Sequence, residues 1–174
     1  MKTLYKIPII LLFLIGSGFT RHQSNDNTNA KIKATFIYNF TRYIEWPVTA
    51  PKGGFEIGVI GETPLYIELV RMSNKTTRGT QKFVITQVMS AASLGACHMV
   101  FISKASSGQL DVIVEKFKGK STLIISEKEG LIEKGDINFV IVDNKQSFEI
   151  NKGNIVGHGL SMASRLQAFA NKVI

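Results

Sequence analysis

The residues able to do chemistry in this chain are few, and most lack the neighbours that chemistry requires. There are three histidines and one cysteine. Cys97 and His98 are adjacent, but successive strand residues point to opposite faces, so the pair does not share one ion, and metal binding needs several convergent ligands. His158 precedes Ser161 and Ser164 in a segment that reads as helix. Acyl transfer needs an orienting acid and a strained nucleophile turn as well, and no G-x-S-x-G pattern is present. Gly119-Lys120-Ser121 supplies the last three letters of a phosphate loop. The first glycine of that motif falls on Val114, however, and the segment runs helix to strand, the reverse of a phosphate loop. The expectation is therefore no catalytic residue, no metal site and no cofactor.

Cys97, being alone, forms no disulfide within the chain. It is either a small buried hydrophobe beside a strand or the donor of an intermolecular disulfide.

The segment with the most unusual chemistry is aromatic. From Ile32 to Pro47 the chain reads I-K-A-T-F-I-Y-N-F-T-R-Y-I-E-W-P. If Phe36, Phe40 and Tyr43 face a core, then Tyr38, Asn39, Arg42 and Trp46 spread over other faces. Aromatic and Arg side chains are common anchors of protein interfaces, which makes these four the candidate partner-binding residues. The other reading is that Trp46 plugs the end of a sheet and Asn39 bonds to a loop.

The elements that must position these residues follow from hydrophobic period. Apolar spacing predicts a helix over 30–45, stopped at Trp46-Pro47 because proline disfavours helical geometry in the residue before it. A strand over 55–60 and a helix over 64–72 follow, then strands over 82–88 and 98–102, a helix over 107–117 and a strand over 122–126. Strands alternating with helices imply an α/β domain of three layers, with a mixed but mostly parallel sheet and helices on both faces. Two β-type runs, 137–142 and 146–150, form a C-terminal hairpin. Asn151 then caps a long last helix whose stripe is Ile155, Leu160, Ala163, Leu166, Ala170 and Val173. A pocket between that helix and the sheet would be lined by Ser161, Ser164 and Arg165, the candidate ligand-binding residues.

The amino terminus shows a charged start with Lys2 and Lys6, an apolar run from Ile7 to Ile15 and the small residues Gly16-Ser17-Gly18. This is the order of a secretory signal peptide, expected over 1–20, and the run is short for a membrane span. Residues 21–29 are polar without apolar periodicity and read as a flexible tail before a single domain over 30–174. The formal net charge of +8 drops to +6 once Lys2 and Lys6 are removed. Export argues against nucleic acid as the partner, and an anionic surface or an acidic protein face suits that charge better.

The aromatic segment closely resembles the opening motif of the YfiR family. Further stretches match in order: Ile57-Gly58-Val59-Ile60-Gly61 with Pro64 nearby, Cys97-His98-Met99-Val100-Phe101-Ile102, Gly135-Asp136-Ile137-Asn138-Phe139, Phe148-Glu149-Ile150-Asn151, and Gly159-Leu160 with Ser164 and Leu166. The resemblance covers nearly all of the chain after the signal peptide. It implies a non-enzymatic periplasmic regulator of α/β fold, often a homodimer. Such a regulator represses the extracytoplasmic sensor of a membrane-anchored diguanylate cyclase or a sensor kinase, and an outer-membrane lipoprotein sequesters it. Cyclic di-GMP and biofilm control follow from that, and a periplasmic small-ligand sensor or scavenger is the alternative. Relatives often carry additional cysteines in disulfides, where this chain has Cys97 alone. A familiar pair of glycines is here Gly135-Asp136, and Ser161-Met162-Ala163 departs from the pattern of the last segment.

Overall fold

The computed structural model describes residues 20–174, with side chains from residue 26 onward. The expected signal peptide over 1–20 thus lies outside the described residues, apart from Thr20. Helix α1 spans Thr20–Tyr43 and runs directly into the two-residue strand β1, Ile44–Glu45. It starts ten residues before the predicted helix and passes through the stretch read as a flexible tail. Ser, Asn and Asp are weak helix formers at a few tenths of a kcal/mol each, roughly, but no Gly or Pro interrupts this stretch. No helix of the described residues is long and apolar enough to cross a membrane.

The middle of the chain follows the predicted alternation. Strand β2 is Phe55–Ile60, α2 is Pro64–Ser73, β3 is Thr77–Arg78 and β4 is Gln81–Val88. A 3-10 turn at Ala91–Ser93 leads to β5, Met99–Ile102, and a second one at Lys104–Gln109 opens α3, Leu110–Phe117. Strands β6 (Leu123–Ser126), β7 (Ile137–Val142) and β8 (Lys145–Ile150) follow. The β7–β8 hairpin turns on Asp143 and Asn144, both at positive φ (48° and 59°), as a two-residue loop requires.

The C-terminal segment departs from expectation. In place of one long helix there are α4 (Lys152–Gly157), β9 (Ser161–Met162), α5 (Ser164–Gln167) and β10 (Lys172–Val173). Asn151 does cap α4, its Oδ1 accepting from the Asn154 amide at 3.0 Å. The helix then ends in a Schellman motif, with the Leu160 amide donating to the Ile155 carbonyl and the Gly159 amide to the Val156 carbonyl. That motif needs a left-handed residue, and Gly159 supplies it at φ +69°. The apolar stripe was half right, since Ile155, Leu160 and Leu166 are buried while Ala163 and Val173 are exposed.

The main sheet has eight strands in the order β10-β8-β7-β6-β5-β2-β4-β3, and β1 pairs with β9 apart from it. Strands β4, β2, β5, β6 and β7 are parallel, β8 runs antiparallel to β7, and β10 runs parallel to β8. Side chains alternate between two cores. Ile57, Val59, Met99, Phe101, Leu123 and Ile125 face α1 and α2, where Ile37, Phe40, Leu65 and Leu69 are buried. Val100, Ile102 and Ile124 face α3, where Leu110, Ile113 and Phe117 are buried. This is the expected three-layer α/β domain. From β2 the chain goes first to β4 on one side and then returns across β2 to β5, so the loops at the carboxyl ends of β2 and β5 leave in opposite directions.

Candidate partner-binding corner

Arg42 from the candidate partner-binding set and the candidate ligand-binding residues Ser161, Ser164 and Arg165 come together at the carboxyl end of α1. Strand β1 leaves the last turn of α1 and pairs antiparallel with β9, placing Ile44 opposite Met162 and Glu45 opposite Ser161. The Ala163 amide donates to the Tyr43 carbonyl at 2.8 Å, and the Tyr43 ring lies 6.5 Å from that of Phe169. Arg42 on α1, Ser161 on β9, and Ser164 and Arg165 on α5 are all exposed, and Phe169 is 53% exposed. The corner therefore carries two Arg side chains, exposed hydroxyls and two aromatic rings around a short ribbon. Ser161, Ser164 and Arg165 line neither of the two main cavities, which open elsewhere. The long helix that would have closed a pocket over them is absent.

Two of the other candidates spend their rings internally. Trp46 Nε1 donates to the His98 carbonyl at 3.1 Å, and its ring stands edge-on to Phe55 at 5.0 Å. Tyr38 is half-buried with its ring edge-on to Phe83 at 6.3 Å, and Asn39 is half-buried on the same helix. Trp46 is thus half-buried against the end of the sheet. Arg42 remains the member of the four that is exposed to solvent.

Sequence reasoning missed Arg78, which organises the inner side of the corner. Its guanidinium lies 5.3 Å from the Trp46 ring centroid and 5.2 Å from that of Phe55, while Nε donates to the Thr41 carbonyl at 3.0 Å. A cation on the last-turn carbonyls of a helix is favoured by the helix dipole, and a cation over an indole face is favoured by the ring quadrupole. Arg78 stands in a Thr-Arg-Gly-Thr turn, whose Gly79 at φ +59° signals a hairpin but gives no hint of where the arginine reaches.

His98 and His158 also acquire definite roles. His98 is buried, stacks on Phe55 at 4.4 Å and accepts the Glu56 amide at Nδ1, 3.0 Å away. Burial lowers its pKa, and the Arg78 charge nearby adds to the fall. His158 Nδ1 is 2.9 Å from the Lys120 carbonyl and Nε2 is 3.7 Å from Asp136 Oδ1, and no hydrogen bond joins the ring to Ser161. Asp136 is fully buried; Oδ2 accepts the Ile124 amide at 2.6 Å, and Oδ1 has no hydrogen-bond partner. Burial pushes its carboxyl up to about 6. Cys97 is buried too, its thiol pushed up to about 12 by desolvation, which removes the thiolate that disulfide exchange requires. Among the described residues no group of three or more His, Cys, Asp or Glu is arranged to hold a metal ion.

Residues 30–171 match the profile of the YfiR/HmsC-like family, a stretch that includes both halves of the corner and every strand of the sheet except β10. The chain belongs to the YfiR/HmsC-like family. No match is found among the curated proteins. Within this YfiR/HmsC-like fold the aromatic opening motif forms the second half of α1 and all of β1, and Gly159-Leu160 is the Schellman turn that directs the chain back to it.

Proposed function

We propose that this protein is a periplasmic regulatory binding protein that represses the extracytoplasmic sensor domain of a membrane signalling protein, a diguanylate cyclase. It acts by binding, without catalysis, and the docking surface is the corner built from Arg42, Tyr43, Arg165 and Phe169. Repression requires tighter binding to the inactive than to the active state of the partner, since equal affinity for both shifts nothing.

The observation that carries this reading is the corner in a YfiR/HmsC-like chain: a two-strand ribbon joins the segments that carry two exposed Arg side chains and a partly exposed aromatic pair. Arg and aromatic residues are enriched where interfaces concentrate their binding energy. A basic corner also complements an acidic partner face and speeds encounter with it. Export agrees with the charged start, apolar run and small residues at the amino terminus.

Deletion of the gene tests the proposal. Cellular cyclic di-GMP and surface attachment should rise, and complementation with the wild-type gene should reverse both. Unchanged cyclic di-GMP in a strain whose neighbouring gene encodes a membrane cyclase would rule out the cyclase as target.

A further inference from the structure

At the other end of α1 the structure opens a crevice with its own chemistry. It lies where the carboxyl ends of β2 and β5 diverge, the position at which open α/β sheets bind ligands. Its volume is about 860 Å³, which suits a small molecule. Gly61, at φ +86°, ends β2 there, and a Cβ on it would stand 2.5 Å from Ser103 Oγ and 2.1 Å from Ser106 Oγ. Only glycine leaves room there for the two hydroxyls. Ser103 is 1% exposed, lines the crevice, and its hydroxyl has no hydrogen-bond partner. An unmet buried hydroxyl costs roughly 1–3 kcal/mol, which a ligand donor or acceptor would offset.

The walls decide the sign of the ligand. Six carboxylates and three ammonium groups line the crevice, in a chain whose formal net charge is +8. Glu127 is already engaged by the Lys33 ammonium and by the Lys104 amide at 2.9 Å. Among the described residues Glu62, Glu129 and Glu133 have no ion pair, and Glu149 receives a 3.4 Å contact from Asn138 Nδ2. These four carboxylates come from three separate places: the β2–α2 loop, the β6–β7 loop and strand β8. Spread in this way they do not converge on one metal ion, but they suit several cations held apart by a chain. Phe139 and Ile141 on β7 provide an apolar wall for that chain.

We propose that this crevice binds a small aliphatic polyamine: its ammonium groups meet carboxylates of the β2–α2 loop, the β6–β7 loop and β8, its methylenes lie along β7, and one N–H meets Ser103 Oγ. The site rests on the crevice alone and stands or falls independently of the corner. It is connected to the corner by α1, since Lys33 lines the crevice and Arg42 lies about 14 Å further along the same helix.

Calorimetric titration of the purified protein with spermidine at low salt is the test, with thermal shift as a second readout. One saturable site and a rise in Tm are expected. The rest of the surface is net positive and repels a cation, so background uptake is low. The Glu129→Gln, Glu133→Gln double variant should bind at least tenfold more weakly and Ser103→Ala a few-fold more weakly. Asp111→Asn, on α3 outside the crevice, should bind as wild type does, and circular dichroism checks that each variant is folded. Absence of saturable binding, or equal affinity in wild type and the double variant, overturns the proposal.

Discussion

Asp136 Oδ1 lies 3.7 Å from His158 Nε2 in a site where, among the described residues, neither atom has another side-chain partner. His158 Nδ1 faces the Lys120 carbonyl at 2.9 Å, so Nδ1 carries the hydrogen and Nε2 of the neutral ring is a bare lone pair. A bare lone pair opposite a buried carboxylate is unfavourable. A proton on the Asp136 carboxyl converts the contact into an attraction.

The pH dependence of stability follows from that. Burial raises the Asp136 carboxyl from 3.8 to about 6 in the folded chain. Its contribution is therefore fully present below about pH 4, where it is protonated folded and unfolded, and is lost as pH rises through 6. The loss is on the order of 3 kcal/mol. Asp136→Asn keeps an acceptor for the Ile124 amide and cannot ionise. Urea unfolding between pH 4.5 and 7.5 should show the variant gaining stability over wild type as pH rises. A difference that stays constant with pH would refute the assignment to Asp136.

Arg78→Ala removes a charged hydrogen bond to the end of α1 and two ring contacts at once. It should destabilise the chain by roughly 2–4 kcal/mol, combining a charge-assisted bond with a desolvated cation–ring contact. Arg78→Lys should recover only part of this, because a point charge cannot bond and stack together. Equal stability of all three proteins in denaturant titration would contradict it.

Two of the left-handed glycines, Gly61 and Gly159, should differ sharply under substitution. Gly159→Ala meets nothing nearer than 3.9 Å and costs about 1 kcal/mol of backbone strain. Gly61→Ala adds a collision with two hydroxyls at 2.1 and 2.5 Å to a similar strain, and should lose several times as much. Thermal melting of the pair ranks them.

Cys97 should resist thiol reagents in the native chain. Its burial and raised pKa leave neither access nor thiolate. Complete labelling is expected in denaturant and almost none without it. Rapid native labelling would show that the strand opens there.

At the corner, Arg42→Glu with Arg165→Glu should leave folding unchanged, since both side chains are exposed, and should weaken partner capture by at least tenfold. In cells the double variant should raise cyclic di-GMP as gene deletion does. Full repression by this variant would move the docking surface elsewhere.

The sequence was most legible where period and burial agree. The runs 55–60, 98–102 and 122–126 became β2, β5 and β6 almost residue for residue because strands buried on both faces leave no polar alternation to misread. The C-terminal helix failed for the opposite reason. Ile155, Leu160 and Leu166 are all buried, but they reach the core from a helix, a turn and a second helix, and Gly159 was the signal that the period should have stopped. The corner was half legible: Arg42 and the aromatic excess were visible, but the pairing of Glu45 with Ser161, 116 positions away, depends on a Schellman turn and a two-residue strand. Arg78 and Asp136 were invisible as partners, since nothing local to either residue says which distant carbonyl or ring it will meet.

Trp46 is the chain's sole tryptophan, and it sits against Phe55, His98 and Arg78 immediately behind the proposed docking corner. The protein consequently has a single indole, and emission excited to the red of the tyrosine band belongs to one environment. A change in indole colour or intensity on adding a partner or a polyamine would register movement at this place without any label.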